Sequence, residues 1–335
     1  DSATLGGMVA TNAGGMHVIR HGTMRARVAG LEAVLANGEI VARMSGLYKD
    51  NLGWDLVSLL AGSEGTLAVV TAVALRCVPA PACRVTALVP LGPEVGGSQV
   101  GGDIDARSEA FAHAVDIARE LRRHVEGLEA VEIVDRAGMV LAASVLGLPA
   151  PPRGDRASGW LTVEAAGAVD PSAALSRVLE GATGVLDVAV GTNASSRERL
   201  WAYRERQSEA IASLGVPHKI DICLPSGELS RFAERLSPLV AEAAPGARIF
   251  CFGHVGDGNL HVNVIGAPCG GTALEDAVLR LAVASGGSIS AEHGIGVAKI
   301  GYLGLARSPV EVELMRAVKS ALDPSGTLNP GVLVP

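Results

Sequence analysis

The sequence predicts an α+β fold built as two domains, and three observations carry that reading. Short apolar runs punctuated by glycine fill residues 1–81, the mark of β-strands joined by tight turns. Beyond them, strand-like runs such as RVTALVP from Arg84 and WLTVEAAG from Trp160 alternate with segments of helical period. The 335 residues are more than the ~150 of a common domain, and Pro-Ala-Pro-Ala at 79–82 supplies a break.

In chain order, LGGMVATNAGG offers paired glycines that read either as tight turns or as a concavity of backbone N–H groups for phosphate oxygens. It fits neither G-x-G-x-x-G nor the P-loop. Asn37-Gly38 between apolar runs predicts a hairpin, and SLLAGSEGTLAVVTAVALR predicts a turn followed by a strand. The region reads as β-rich. In the second region Phe111, Val115, Ala118 and Leu121 recur at helical spacing and predict a helix over 108–125. Ser195-Ser196-Arg197-Glu198 has the spacing of a capping box, so a helix should run to Leu214 and stop at Gly215. SGGSISA reads as a strand of small residues, and Ser308-Pro309-Val310-Glu311 opens a helix to about Leu322. Stretches 92–102 and 148–154 read as flexible loops.

Composition excludes several classes. Hydrophobic residues are 48% and charged ones 19%, enough apolar side chain to outweigh chain entropy and exclude wholesale disorder. With net charge −7 and no basic run, the electrostatic footprint of a nucleic-acid binder is missing. No apolar stretch reaches the ~18 residues of a membrane span. Five cysteines without C-x-x-C spacing fit reduced thiols in a reducing, cytoplasmic compartment. The chain starts at Asp1 inside a glycine-rich motif, which predicts a missing N-terminal part.

The candidate chemistry centres on ARIFCFGHVGDGNLHVNVIG, residues 247–266. If Asp257-Gly258 forms a two-residue turn, His254 and His261 face each other across the hairpin with Cβ atoms ~4.5–5.5 Å apart. Two imidazoles so placed either share an ion or merely cap a strand pair. A metal would need a third ligand, and Glu292-His293 ahead of glycines offers one. Arg204 and Ser208, spaced i and i+4, would share a helix face. Arg204 and Lys219 converging on such a site would suit an anionic substrate, and the alternative is that both are solvated or salt-bridged.

Seven ordered blocks, GGMVATNAGG, KDNLGWDLVSLLAGSEGTLAVVT, LWAYRERQSEA, HKIDICLP, GHVGDGNLHVNV, SAEHGIGVAK and LDPSGTLNPG, resemble the FAD-linked oxidase family of the vanillyl-alcohol oxidase superfamily, on the side of its D-2-hydroxy acid dehydrogenases. The resemblance implies the second half of a FAD-binding domain at 1–82, an α+β, ferredoxin-like cap for substrate and metal at 83–318, and a tail at 319–335 returning to the FAD domain. Ser2, Gly6, Gly7, Thr11, Asn12, Gly14, Val70 and Asn329 would line the FAD. His254, His261 and Glu292 would ligate zinc; Arg204, Ser208, Lys219 and Asn263 would bind substrate; His293 would be the general base. Ser208, Trp54 and Met8 stand where the family usually has Thr, Tyr and Asn. The implied reaction is oxidation of a D-2-hydroxy acid, D-2-hydroxyglutarate first and D-lactate or glycolate as alternatives, by hydride transfer to flavin. The implied partners are that small molecule, an electron acceptor of protein or quinone type and, as a homodimer, a second copy. A truncated metal-binding fragment without flavin is the competing reading, and zinc hydrolysis ranks behind both.

Overall fold

The computed structural model describes residues 3–93, 103–268 and 272–334. They fall into two compact units: unit 1 is Asp1–Pro79 with Ile289–Pro335, and unit 2 is Ala80–Ser288.

Unit 1 opens with α1 (Leu5–Thr11), α2 (Val18–His21) and α3 (Met24–Arg27), followed by β1 (Val28–Val34), β2 (Ile40–Arg43), α4 (Leu56–Leu60) and β3 (Val69–Leu75). The β-rich expectation is therefore corrected at its start, where LGGMVAT is helical. Thr4 Oγ1 accepts from Gly7 N–H at 3.1 Å, and Val9 is sealed into the core with Leu31, Leu60 and Leu67, so capping and burial outweigh the low helix propensity of two glycines. The strands form an antiparallel sheet in the order β2-β1-β3, and the expected hairpin turns through Gly38 at φ +85°.

Unit 2 contains β4 (Cys83–Leu91), α5 (Asp103–His124), β5 (Leu128–Asp135), α6 (Arg136–Val145), β6 (Gly159–Gly167), α7 (Ser172–Glu180), β7 (Ala189–Gly191), α8 (Ala194–Glu205) and α9 (Gln207–Ala212). Next come β8 (His218–Cys223), α10 (Leu229–Ala243), β9 (Arg248–His254), β10 (Asn259–Ile265) and α11 (Ala273–Ala284). The seven strands pair in the order β7-β4-β6-β5-β9-β10-β8, each with its neighbour antiparallel, and β5 lies at the centre. Trp160, Phe250, Phe252 and Tyr203 anchor one core cluster.

Several local expectations shift. The cap of α8 is Asn193, which accepts from Ser196 N–H at 2.9 Å while Ser196 Oγ accepts from Asn193 N–H at 3.2 Å, two residues before the expected box. SGGSISA forms no strand; Ser288 makes a single bridge to Cys223. The 92–102 stretch lies mostly outside the described residues. The loop at 148–154 is tethered where Tyr203 and Trp160 donate to the Pro149 and Pro152 carbonyls, each at 2.9 Å. Cys77, Cys83, Cys223 and Cys251 are free thiols; Cys269 lies outside the described residues. No described helix is long and apolar enough to cross a membrane.

The chain re-enters unit 1 at Ile289 rather than at residue 319, then forms α12 (Leu303–Ala306) and α13 (Pro309–Leu322). Its tie is Glu64, held at φ +52°. The Glu64 carboxylate accepts from the N–H groups of Ile295 and Gly296 at 2.9 and 2.8 Å, and its carbonyl accepts from Asn329 Nδ2 at 2.5 Å. Val318 and Leu322 of α13 pack on the unit 1 core.

At the end of α13, buried Asp323 accepts from Thr327 and Leu328 N–H at 3.0 and 2.7 Å and pairs with Lys319. The Lys319 ammonium and the two backbone donors hold its carboxyl down at about 2, against an ordinary 3.8. Because the folded chain favours the charged form, the stabilisation is complete above about pH 4 and is lost as pH falls towards 2. Asp323→Asn is expected to lower Tm at neutral pH and to flatten the loss of stability between about pH 4 and 2, read by thermal unfolding across a pH series.

Candidate functional site

The β9–β10 hairpin carries the two histidines, and its register differs from the expected one. His261 stands opposite Phe252, and Asn263 opposite Phe250. The turn is the four residues 255–258, closed by the N–H groups of Asp257 and Gly258 donating to the His254 carbonyl at 3.1 and 3.0 Å. The turn is also fastened from outside the hairpin. Leu224, just past β8, donates its N–H to the Gly258 carbonyl at 2.9 Å, and a Cβ at Gly258 would sit 2.0 Å from the Leu224 carbonyl oxygen. The register moves by an even number, so every side chain keeps its face of the sheet. His254 and His261 are thus diagonal rather than direct neighbours, a separation that ring side chains span. Their ring centroids are 5.6 Å apart at 81°, with a nitrogen of each ring within 4.8 Å of the other.

Behind each imidazole stands a buried carboxylate. Glu132, fully buried on β5, pairs in register with His254 and takes its Nδ1 in a short hydrogen bond. Asp221 on β8 pairs in register with His261, with Oδ1 3.4 Å from Nδ1, and is itself held by Asn259 Nδ2 at 2.8 Å. A ring whose Nδ1 is given to a carboxylate presents Nε2 as its lone-pair nitrogen. Neither Glu132 nor Asp221 stands out in the sequence; the available signal is an acid flanked by apolar residues inside a strand, as in VEIV and IDI.

Arg204 closes the cluster. Helix α8 is fastened to the sheet where Trp201 Nε1 donates to Glu164 at 2.8 Å and Arg204 Nε to Glu132 at 2.7 Å, and the Arg204 guanidinium lies 4.7 Å from the Phe252 ring centroid. Burial would push the Glu132 carboxyl up, but Arg204 and His254 together hold it down at about 2. The expected shared face of Arg204 and Ser208 is corrected. The helix breaks at Arg206, and buried Gln207 turns its amide onto the Tyr203 carbonyl at 2.6 Å. Arg204 is buried while Ser208 is exposed. Lys219 is exposed on β8 opposite buried Asn263, and both lie on the sheet face of His261 by strand alternation.

The remaining predicted residues belong to unit 1. Glu292 is half-buried and His293 exposed, in a loop closed where Ser290 Oγ donates to the Gly294 carbonyl at 2.7 Å. Gly294, at φ +77°, lies against Glu64: a Cβ there would be 2.6 Å from Oε1. A Cβ at Gly14 would stand 3.8 Å from Glu292 Cγ, which puts Glu292 beside the glycine-rich start. Thr11 Oγ1 donates to the Gly7 carbonyl at 3.1 Å, and Asn12 Oδ1 accepts from Arg25 N–H at 2.9 Å. At Gly6 and Gly15 an added Cβ would meet nothing within 4 Å. Val70 is half-buried in β3 and Asn329 is exposed. Ser2 lies outside the described residues.

Comparison with known proteins gives matches across the chain. A family model for the C-terminal domain of FAD linked oxidases matches residues 106–333, and a FAD binding domain model matches residues 1–42. Mitochondrial D-2-hydroxyglutarate dehydrogenase of Bos taurus is 37% identical, covering 100% of this chain and 59% of its own length. D-lactate dehydrogenase of Archaeoglobus fulgidus is 32% identical, covering 100% and 70%. The chain thus spans about three fifths of the mammalian relative. Among solved structures, 4-ethylphenol oxidase from Gulosibacter chungangensis superposes with TM-score 0.65 at 16% identity, covering 99% of this chain and 70% of that one. Alkyldihydroxyacetonephosphate synthase gives 0.62 at 14%, covering 98% and 57%. At such identities the likeness is one of fold.

Removing one partner of a buried pair leaves the other charge unpaired, at roughly 3–5 kcal/mol. Glu132→Ala is expected to cost an amount of that order in urea unfolding, and Glu132→Gln, which keeps an acceptor for Arg204, distinctly less. Equal, small losses for both would mean that the carboxylate carries no structural weight.

Proposed function

The chain belongs to the FAD-linked oxidase family, and from that premise we propose that it forms the greater part of an enzyme that oxidises a D-2-hydroxy acid to the 2-oxo acid. The observation that carries the proposal is the pair of carboxylate-backed imidazoles on one face of the unit 2 sheet. The orientation of a metal-ligating histidine is commonly set by such a carboxylate, whereas two histidines that only cap strands need none.

The donor set fits a divalent ion of the zinc kind. His254 and His261 would hold it, and Glu292 is the third ligand implied by the family resemblance. The unit 1 glycines fit a cofactor in a different way: the packing of the chain leaves the space above Gly6 and Gly15 empty, so backbone there is open to a ligand. Gly6, Gly7, Thr11, Asn12, Gly14, Val70 and Asn329 are the residues assigned to FAD. When bound, FAD supplies the two-electron acceptor and zinc a Lewis acid for the substrate hydroxyl.

The protein's own side chains do the rest. His293 is assigned the hydroxyl proton, which an imidazole can accept near neutral pH. Arg204 keeps Nη1 and Nη2 for a substrate carboxylate while its Nε is spent on Glu132. Lys219 adds a second, exposed cation above the same face, and Asn263 beside it adds an amide. Two cationic positions favour a dicarboxylate such as D-2-hydroxyglutarate. The likeness to a D-lactate dehydrogenase supports a monocarboxylate as the second reading, in which Lys219 stays in solvent.

His254→Ala and His261→Ala are each expected to abolish stoichiometric zinc by elemental analysis, and with it turnover. Glu132→Gln is expected to keep zinc but bind it ~10–100-fold more weakly. Retention of full zinc by the double histidine variant would end the assignment. For the substrate, Lys219→Ala is expected to raise KM for D-2-hydroxyglutarate about tenfold while leaving kcat/KM for D-lactate within about twofold. No effect on either substrate would favour the monocarboxylate reading, in which Lys219 stays in solvent.

A further inference from the structure

A cavity of about 410 Å³ opens in unit 2 at the start of α6, away from the histidines. Arg248 on its wall begins β9 and His254 ends it, so the two lie ~20 Å apart along the strand. Arg107, Arg136 and Arg248 line the cavity with one carboxylate, Asp135. That carboxylate is already committed, accepting from Gly138 N–H at 2.8 Å, Cys251 N–H at 2.9 Å and Arg107 Nε at 3.1 Å.

Two guanidinium groups are therefore left without an acid. Arg136 gives Nη1 to the Ala157 carbonyl at 2.6 Å, and Arg248 rests 5.0 Å from the Phe250 ring centroid; among the described residues neither meets a carboxylate. In a chain of net charge −7 acids are plentiful, and several arginines do pair with nearby ones, as Arg119 does with Asp116 and Arg231 with Glu228. An independent sign comes from Ser158, 92% buried at 8% exposure and on the cavity wall. Its backbone N–H and carbonyl are used, by Leu91 and Arg136, while its hydroxyl makes no hydrogen bond among the described residues. With the residue nine-tenths buried and the cavity wall its open side, that hydroxyl is available to a ligand in the cavity. The N-terminal end of α6 adds positive potential, and Val140 and Leu141 add an apolar wall.

We propose that this cavity binds a small organic anion, its carboxylate or phosphate head held between Arg136, Arg248 and the Ser158 hydroxyl and its apolar body against Val140 and Leu141. The volume lies in the range of small-molecule sites and exceeds what an inorganic ion fills. The site is independent of the histidine cluster and of the activity assigned to it.

Phenyl phosphate and phenylacetate, titrated calorimetrically into the full chain, separate the two head groups, and benzyl alcohol is the uncharged control. At least one anion is expected to bind saturably and more weakly as salt rises, and the alcohol not to bind. Arg136→Ala with Arg248→Ala should raise Kd at least tenfold and Ser158→Ala about threefold, with Lys219→Ala unchanged. If the double variant does not fold, Arg248→Glu alone, on an exposed side chain, should still abolish binding. The proposal is overturned if neither anion binds, if Arg248→Glu binds as the parent does, or if Lys219→Ala is the change that removes binding.

Discussion

A carboxylate buried at the centre of a seven-stranded sheet is the constraint on which the architecture of unit 2 turns. Glu132 is 0% exposed, and an unpaired charge at such a place would be prohibitively costly. Its two oxygens are taken from opposite directions, one by Arg204 from helix α8 and one by His254 from the neighbouring strand. The helix position, the β5–β9 register and the imidazole orientation are therefore one condition, since moving any of them strands a charge. The same condition readies His254 as a ligand and leaves part of Arg204 for an anion, so what stabilises the fold also prepares its proposed chemistry.

Unit 1 solves its own continuity problem with another acid. Its two chain segments are far apart in sequence, and Glu64 joins them by accepting backbone N–H groups from one segment while its own N–H donates to the Ala10 carbonyl at 2.8 Å. Holding a non-glycine residue at φ +52° costs energy, which four hydrogen bonds at one residue offset. The backbone thus ordered carries the glycines assigned to the cofactor and the Glu292-His293 loop.

Much of this was legible. The hairpin at Asn37-Gly38, the capping box at Ser308, the break near Pro79 and the common face of His254, His261 and Asn263 all follow from turn chemistry and strand alternation, which are local. Three of the misreadings share one cause, contact with a residue remote in sequence. The turn through Asp257-Gly258 is four residues long and is fastened from outside the hairpin by Leu224, whose N–H donates to the Gly258 carbonyl. At the break of the helix from 194, Gln207 donates its amide to the Gly138 carbonyl of α6 at 3.2 Å. The small-residue run at 285–291 forms no strand because beyond Ser288 it leaves the sheet for the other unit.

By itself, then, the sequence determined which residue types were available for chemistry and which face of each strand they occupy, because period-two alternation survives any even change of register. Only the tertiary structure decided that Glu132 and Asp221 stand behind the imidazoles, that Arg204 and not Ser208 reaches the buried cluster, and that Arg136 and Arg248 meet around a cavity. Those outcomes rest on the pairing of strands and helices distant along the chain, where solvation of charge and the filling of space are settled together and no local pattern specifies the partner.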